Sequence, residues 1–252
     1  MAMAMLAGGI RARTVMRCAA DRPVISRPSP NFGPRRGGVR PDMIVVHYTA
    51  MATTEAALER LCDAQAEVSA HYLICGHGRV WQLVEEGARA WHAGAGQWGD
   101  VTDVNSRSIG IELANTGAHP FSEPQMAALE EVMAGIMARW DITPARVIAH
   151  SDMAPARKDD PGPRFDWRRL ARQGLSIWPK LGAGGEATPA QFARDAGRFG
   201  YIRAEGVSDA DILRAFRLRF RPHVTGPLEP EDCAMMADLA ARFAVDRTAP
   251  SA

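Results

Sequence analysis

MIVVHYTA, running from Met43 to Ala50, decides the fold. It is a short apolar, β-branched run preceded by Pro41 and followed by turn and helix signals, the pattern of a buried strand. Two more runs share its character: SIGIELAN, from Ser108 to Asn115, and RVIAHSD, from Arg146 to Asp152. Between the first two lies HYLICGHGRVWQLV, His71 to Val84, which reads as two strands joined by a turn at Gly76-His77-Gly78. Helix signals alternate with these strands. Thr53-Thr54-Glu55 opens one helix, and Ser122 stands three residues before Gln125 with Pro124 between, the capping-box spacing with proline in the first turn. Met126, Leu129, Val132, Met133, Ile136 and Trp140 then recur at helical spacing and read as a core stripe. The sequence therefore predicts an α/β protein with a mixed central sheet and flanking helices.

Outward from this block the composition changes on both sides. The stretch after Trp178-Pro179 carries Gly182, Gly184 and Gly185 and reads as a linker over 181–188. Beyond it, caps at Thr188, Ser208 and Glu229-Pro230 mark three short amphipathic helices over 189–245, with Phe192, Phe199, Leu213, Phe216, Phe220, Leu239 and Phe243 as their core. A unit of about 60 residues is only marginally stable alone. On the other side, eight arginines precede Asp42 against the single acid Asp21. Residues 1–28 are read as a solvated, poorly ordered basic arm, and 29–180 as the main α/β domain.

The 252 residues are 46% apolar and 23% charged, the usage of an ordinary globular protein, with a formal charge of +1 that gives no reason to expect a nucleic-acid partner. No run approaches the ~18–20 apolar residues of a membrane span. The cysteines, Cys18, Cys62, Cys75 and Cys233, form no CxxC pair and suit a reducing compartment. The opening residues place their apolar run ahead of the arginines, unlike a secretory signal. The expected location is the cytoplasm, or the periplasm should the start be misassigned.

Among seven histidines, position singles out two. His47 sits within one strand run and His150 at the end of another, so both imidazoles can face a common site at the sheet edge. Asp160 follows His150 by ten residues in a loop able to fold back. Two imidazoles and a carboxylate, with a fourth position left to water, form a recurrent catalytic zinc arrangement. Spacing alone leaves this set a candidate, since there is no HExxH and the strands lie far apart in sequence. His71 and His77 straddle a hairpin, and neither a Gly-x-Ser-x-Gly elbow nor a P-loop occurs. Cys62 and Cys75 fall in apolar-periodic segments and read as packing residues.

Taken in order, MIVVHYTAM, SAHYLICGHGRVWQLVEE, AWHAG, NSRSIGIELAN and HSDMAPARKDDPGPRFDW resemble the zinc-dependent N-acetylmuramoyl-L-alanine amidases of the amidase-2 group, relatives of phage lysozyme-type amidases and peptidoglycan recognition proteins. The resemblance spans Ser29 to Trp178, and the helical tail is similar to peptidoglycan-binding modules. It implies Zn2+ held by His47, His150 and Asp160, with Glu112 as the acid–base residue and Lys158 as a donor to the developing oxyanion. It also implies that His92, Asn105 and Arg107 border the substrate groove, while His71 supports the fold. The implied reaction is hydrolysis of the amide between N-acetylmuramic acid and L-alanine of a muropeptide or peptidoglycan fragment. Given the expected location, a recycled anhydro-muramyl peptide is the implied substrate. The rival is a non-hydrolytic muropeptide-binding or sensor protein of the same fold.

Overall fold

The computed structural model describes residues 23–180, 186 and 188–245. Its six-stranded sheet has the order β1-β5-β4-β7-β3-β8. The strands are β1 (Val24–Ser26), β3 (Met43–Tyr48), β4 (Tyr72–Ile74), β5 (Val80–Gln82), β7 (Ser108–Leu113) and β8 (Val147–Ala149), while β2 (Phe32–Gly33) and β6 (Arg89–Ala90) pair separately. β4, β7, β3 and β8 run parallel, and β5 is antiparallel to β4, so the sheet is mixed as the sequence predicts. The parallel strands are buried on both faces, which explains their unbroken apolar runs.

Side chains alternate across each strand and separate two cores. Ile44 and Val46 of β3 and Ile109, Ile111 and Leu113 of β7 face α3 (Glu123–Trp140), meeting Met126, Leu129, Met133 and Ile136. Ser122 caps α3, its Oγ accepting from the Gln125 N–H. The other face carries Met43 and Val45 of β3 and Ile148 of β8. Over β4 and β5 that face is covered by α1 (Thr54–Cys62), where Leu61 meets Leu73 and Trp81. Three shorter helices remain in the first part of the chain: α2 (Val104–Arg107), α4 (His150–Met153) and α5 (Trp167–Arg172). No helix among the described residues is long and apolar enough to cross a membrane.

The C-terminal helices α6 (Pro189–Phe199), α7 (Asp209–Phe220) and α8 (Pro230–Arg242) do not form a core of their own. Phe192, Phe199, Phe216 and Leu239 join one cluster with Met43, Val45, Ile148, Met153 and Trp98. The Trp98 ring meets Phe199 and Tyr201 edge-on, at 5.3 and 5.2 Å. A Cβ on Gly200 would fall 2.5 Å from that indole, so the close approach requires glycine. The small size of this helical unit is offset by docking on the sheet. Most of the 181–188 stretch lies outside the described residues.

The basic-arm reading needs correction at its inner end. Val24–Ser26 forms a parallel edge strand on β5, because its β-branched side chains find an open strand edge in register with Val80–Gln82. Residues 1–22 lie outside the described residues. Arg35, counted among the arm's arginines, is buried. Its guanidinium donates to the carbonyls of Asn105, Ser106, Ser108 and Glu86, stapling the approach to β7.

Candidate active site

Parallel register brings the reactive side chains together. His47 lies opposite Glu112, and Val46 opposite Ala149, so His150 emerges at the same level one strand over. All three sit at the carboxyl ends of their strands, on the face away from α3. Asp160 returns in the loop after α4, and its carbonyl accepts the Ser151 N–H at 3.0 Å. His47 Nδ1, His150 Nδ1 and Asp160 Oδ2 then form a triangle with sides of 2.9, 2.9 and 3.0 Å. The sequence reading named these three, and the structure brings them together.

Hydrogen bonding decides which ring nitrogens carry protons. His150 Nε2 lies 2.9 Å from the Ala93 carbonyl, which only accepts, so Nε2 is the protonated nitrogen and Nδ1 keeps its lone pair. The Ser108 hydroxyl donates to the Val104 carbonyl and so accepts from His92 Nε2. His92 Nδ1 is therefore an acceptor, and His47 Nε2, 3.0 Å away, donates to it. Both His47 and His150 thus aim lone pairs at Asp160. Three acceptors facing one another require a cation between them.

A proton does not fill that place at neutral pH, because burial and the neighbouring His150 push His47 down to about 4. A metal ion does. A tetrahedral ion with bonds of about 2.0–2.1 Å sets its donors about 3.3 Å apart. The triangle need open by only a few tenths of an ångström, and two neutral imidazoles with a carboxylate suit zinc.

Beside the triad lies a cavity of about 540 Å³ bordered by Glu112, Lys158, Trp91, Arg60 of α1 and the triad itself. The Glu112 side chain opens partly to this space, while its Oε2 is sealed from water and has no hydrogen-bond partner. Burial first and the charge of Asp160 second push its pKa up to about 8, and the Lys158 ammonium works against them. A carboxyl poised near neutrality, with an unused oxygen, is suited to exchange protons.

The other three sequence-named residues do different work. His92 borders the cavity, but its Nδ1 serves His47 and its Nε2 serves Ser108, so neither nitrogen is free for substrate. Asn105 is buried, and its Oδ1 accepts the backbone N–H of His92 and Ala93 at 3.0 and 2.9 Å, holding the loop that carries His92. Arg107 is at the wrong end of β7. It pairs with Asp42, which Arg146 also reaches, and five residues of strand, about 16 Å, separate it from Glu112. His71 supports the fold as expected: Nδ1 accepts from the Gly110 N–H and Nε2 meets the Ala88 carbonyl.

Convergent imidazoles and a carboxylate at the carboxyl ends of parallel strands, with a second carboxylate alongside, form the constellation of a hydrolase able to hold a divalent cation. The comparisons with known proteins agree. Residues 37–163 match the family model described as N-acetylmuramoyl-L-alanine amidase. The chain is 34% identical to the N-acetylmuramoyl-L-alanine amidase AmiD of Escherichia coli over 91% of this chain and 94% of that one. It is also 34% identical to the 1,6-anhydro-N-acetylmuramyl-L-alanine amidase AmpD of the same organism, over 57% of this chain and 87% of the relative. Among solved structures, E. coli AmiD in complex with anhydro-N-acetylmuramic acid-L-Ala-D-gamma-Glu-L-Lys superimposes with a TM-score of 0.74 at 32% identity, covering 84% of this chain and 98% of that chain. AmpDh3 of Pseudomonas aeruginosa with an anhydromuramic pentapeptide gives 0.71 at 31% identity, covering 83% and 95%. The chain belongs to the N-acetylmuramoyl-L-alanine amidase family. Its activity is hydrolysis of the bond between the muramic acid lactyl group and L-alanine.

Proposed function

We propose that the protein is a zinc amidase acting on anhydro-muramyl peptides, with His47, His150 and Asp160 as metal ligands, Glu112 as the proton-transferring group and Lys158 as a charge donor. The observation that carries the metal is the convergence of three acceptor atoms whose protons are fixed elsewhere. The AmiD and AmpDh3 complexes with anhydro-muramyl peptides support the substrate class.

Zinc, when bound, supplies Lewis acidity that acidifies water and polarises the scissile carbonyl. The chain's own residues do the rest. His92 keeps His47 in the tautomer that presents Nδ1, and the Ala93 carbonyl does the same for His150. Glu112, ionised, takes a proton from the attacking water and returns it to the leaving alanine nitrogen, which needs it to depart as an amine. Lys158, bordering the same cavity, offsets the negative charge that develops on the carbonyl oxygen. The cavity of about 540 Å³ falls within the ordinary range of ligand sites.

The test is metal analysis of purified protein alongside its Asp160→Ala variant. One zinc per wild-type chain, lost in the variant together with turnover of an anhydro-muramyl tripeptide, supports the reading. Turnover retained in metal-free protein rejects it.

A further inference from the structure

The helical C-terminal unit does more than dock on the sheet. Asp152, two residues after His150 on α4, is fully enclosed. Its Oδ1 accepts from the Tyr201 hydroxyl at 2.5 Å, just beyond α6. Its Oδ2 accepts from Arg219 of α7 at 2.6 Å and from the Ala149 N–H at 2.8 Å. Arg219 is equally enclosed, and its other terminal nitrogen donates to the Val147 carbonyl at 2.8 Å and to Ser176 Oγ at 3.3 Å. The guanidinium lies over the Trp167 ring at 4.5 Å. One planar fork therefore grips β8 on one side of His150 and α4 on the other, fixing the angle between strand and helix at the residue that stands between them.

A second grip reaches the loop that carries the third ligand, Asp160. Arg214, one turn back on α7, donates to the Pro155 carbonyl at 2.6 Å and pairs with Asp159, the neighbour of Asp160. Stability alone gives little account of such a clamp, because well-packed apolar side chains of similar size are often as stabilising as a buried ion pair. Geometry gives a better one: an enclosed, forked charge pair tolerates a single arrangement of its partners.

We propose that Arg219 and Tyr201 are positioning residues for the metal centre, acting through Asp152 to hold His150 at its place in the triad. The helical unit is then part of the frame of the active site. This rests on the reading of the triad as a zinc site. The ligand His47 needs no such brace, since the sheet itself holds β3 between β7 and β8.

The test uses the full chain and reads zinc affinity directly, by competition with a chromophoric chelator, at a temperature where each variant keeps the wild-type far-UV circular dichroism. Loss of an outer partner of a metal ligand weakens binding by about 10–100-fold, and Arg219→Met is expected in that range. Tyr201→Phe removes one hydroxyl and keeps the ring, so it should fold if Arg219→Met does not; taking away one of the two side-chain donors to Asp152 without the fork to β8, it should weaken zinc less, by about 10-fold at the low end of that range. Arg217→Met, on the same helix as Arg219, is the control, because it breaks a buried pair with Asp232 of α8 without touching Asp152. It should leave zinc affinity unchanged. Wild-type affinity in both Tyr201→Phe and Arg219→Met overturns the proposal, and so does an equal loss in Arg217→Met, which would mean general loosening. Wild-type protein that binds no zinc rejects the zinc reading itself, and this inference with it.

Discussion

Replacing Glu112 by glutamine separates the account's electrostatics from its chemistry. In metal-free protein the Glu112 carboxyl titrates at about 8 instead of 4.5, so between those values the folded chain holds a proton that the unfolded chain has released. A raised carboxyl pKa means stability is present below 4.5 and is lost as pH rises toward 8. The buried His47, His71 and His92, all pushed below their ordinary value of 6.5, have the opposite effect, fading above that value. They are common to wild type and Glu112→Gln, so the difference between the two proteins isolates Glu112. At about 1.4 kcal/mol per pH unit for one proton, the wild type should lose about 1.5–2 kcal/mol of unfolding free energy relative to the variant between pH 6.5 and 8. Urea unfolding of both chelator-treated proteins at pH 6.5 and 8 measures this. The wild-type midpoint should fall relative to that of Glu112→Gln as pH rises. With zinc restored, the variant should still bind metal and muropeptide while kcat falls by about 10²–10⁴-fold, the usual share of a general acid–base group. Equal pH slopes in the two proteins would refute the burial argument, and undiminished turnover would refute the assigned role.

Three further outcomes follow from the geometry. Gly110→Ala would put a Cβ 2.4 Å from the His92 ring, whose nitrogens are both held, so the variant should lose about 1–3 kcal/mol of stability and weaken zinc binding through His47; native zinc affinity would show that His92 is free to move. Arg107→Ala removes only a half-exposed pair with Asp42, so it should cost at most about 1 kcal/mol and leave KM for an anhydro-muramyl peptide unchanged; a large rise in KM would return Arg107 to the groove. Chelation should abolish turnover but leave the far-UV circular dichroism intact, since the sheet is held by two apolar cores independent of the metal; unfolding on chelation would contradict that.

Much of this was legible in the sequence, for physical reasons. Strand runs such as MIVVHYTA are apolar at every position because parallel strands are covered on both sides, and a histidine interrupting such a run is conspicuous. The triad was found that way. Glu112 and Lys158 came from the resemblance, and their place beside the triad follows from register and from the loop after α4. Arg107 was misplaced because a motif lists neighbours along the chain, whereas a strand carries its two ends some 16 Å apart. Asp152, Tyr201, Arg214 and Arg219 were missed because their partnership crosses some 50–70 residues and only docking of the helical unit creates it. A hint existed in the acid at Asp152, two residues after a candidate ligand at a helix start, where a carboxylate caps. The edge strand at Val24–Ser26 was hidden by the arginines around it, whose number outweighed three β-permissive residues.

The central claim is hydrolysis of the lactyl–alanine amide at a zinc site built by His47, His150 and Asp160. Mass spectrometry of an anhydro-muramyl tripeptide incubated with purified protein tests it most directly, with chelated protein and Asp160→Ala alongside. The account predicts release of the intact tripeptide by wild type, abolished by chelator, restored by zinc and absent in the variant. Cleavage at any other bond, or the same cleavage persisting without metal, would contradict it.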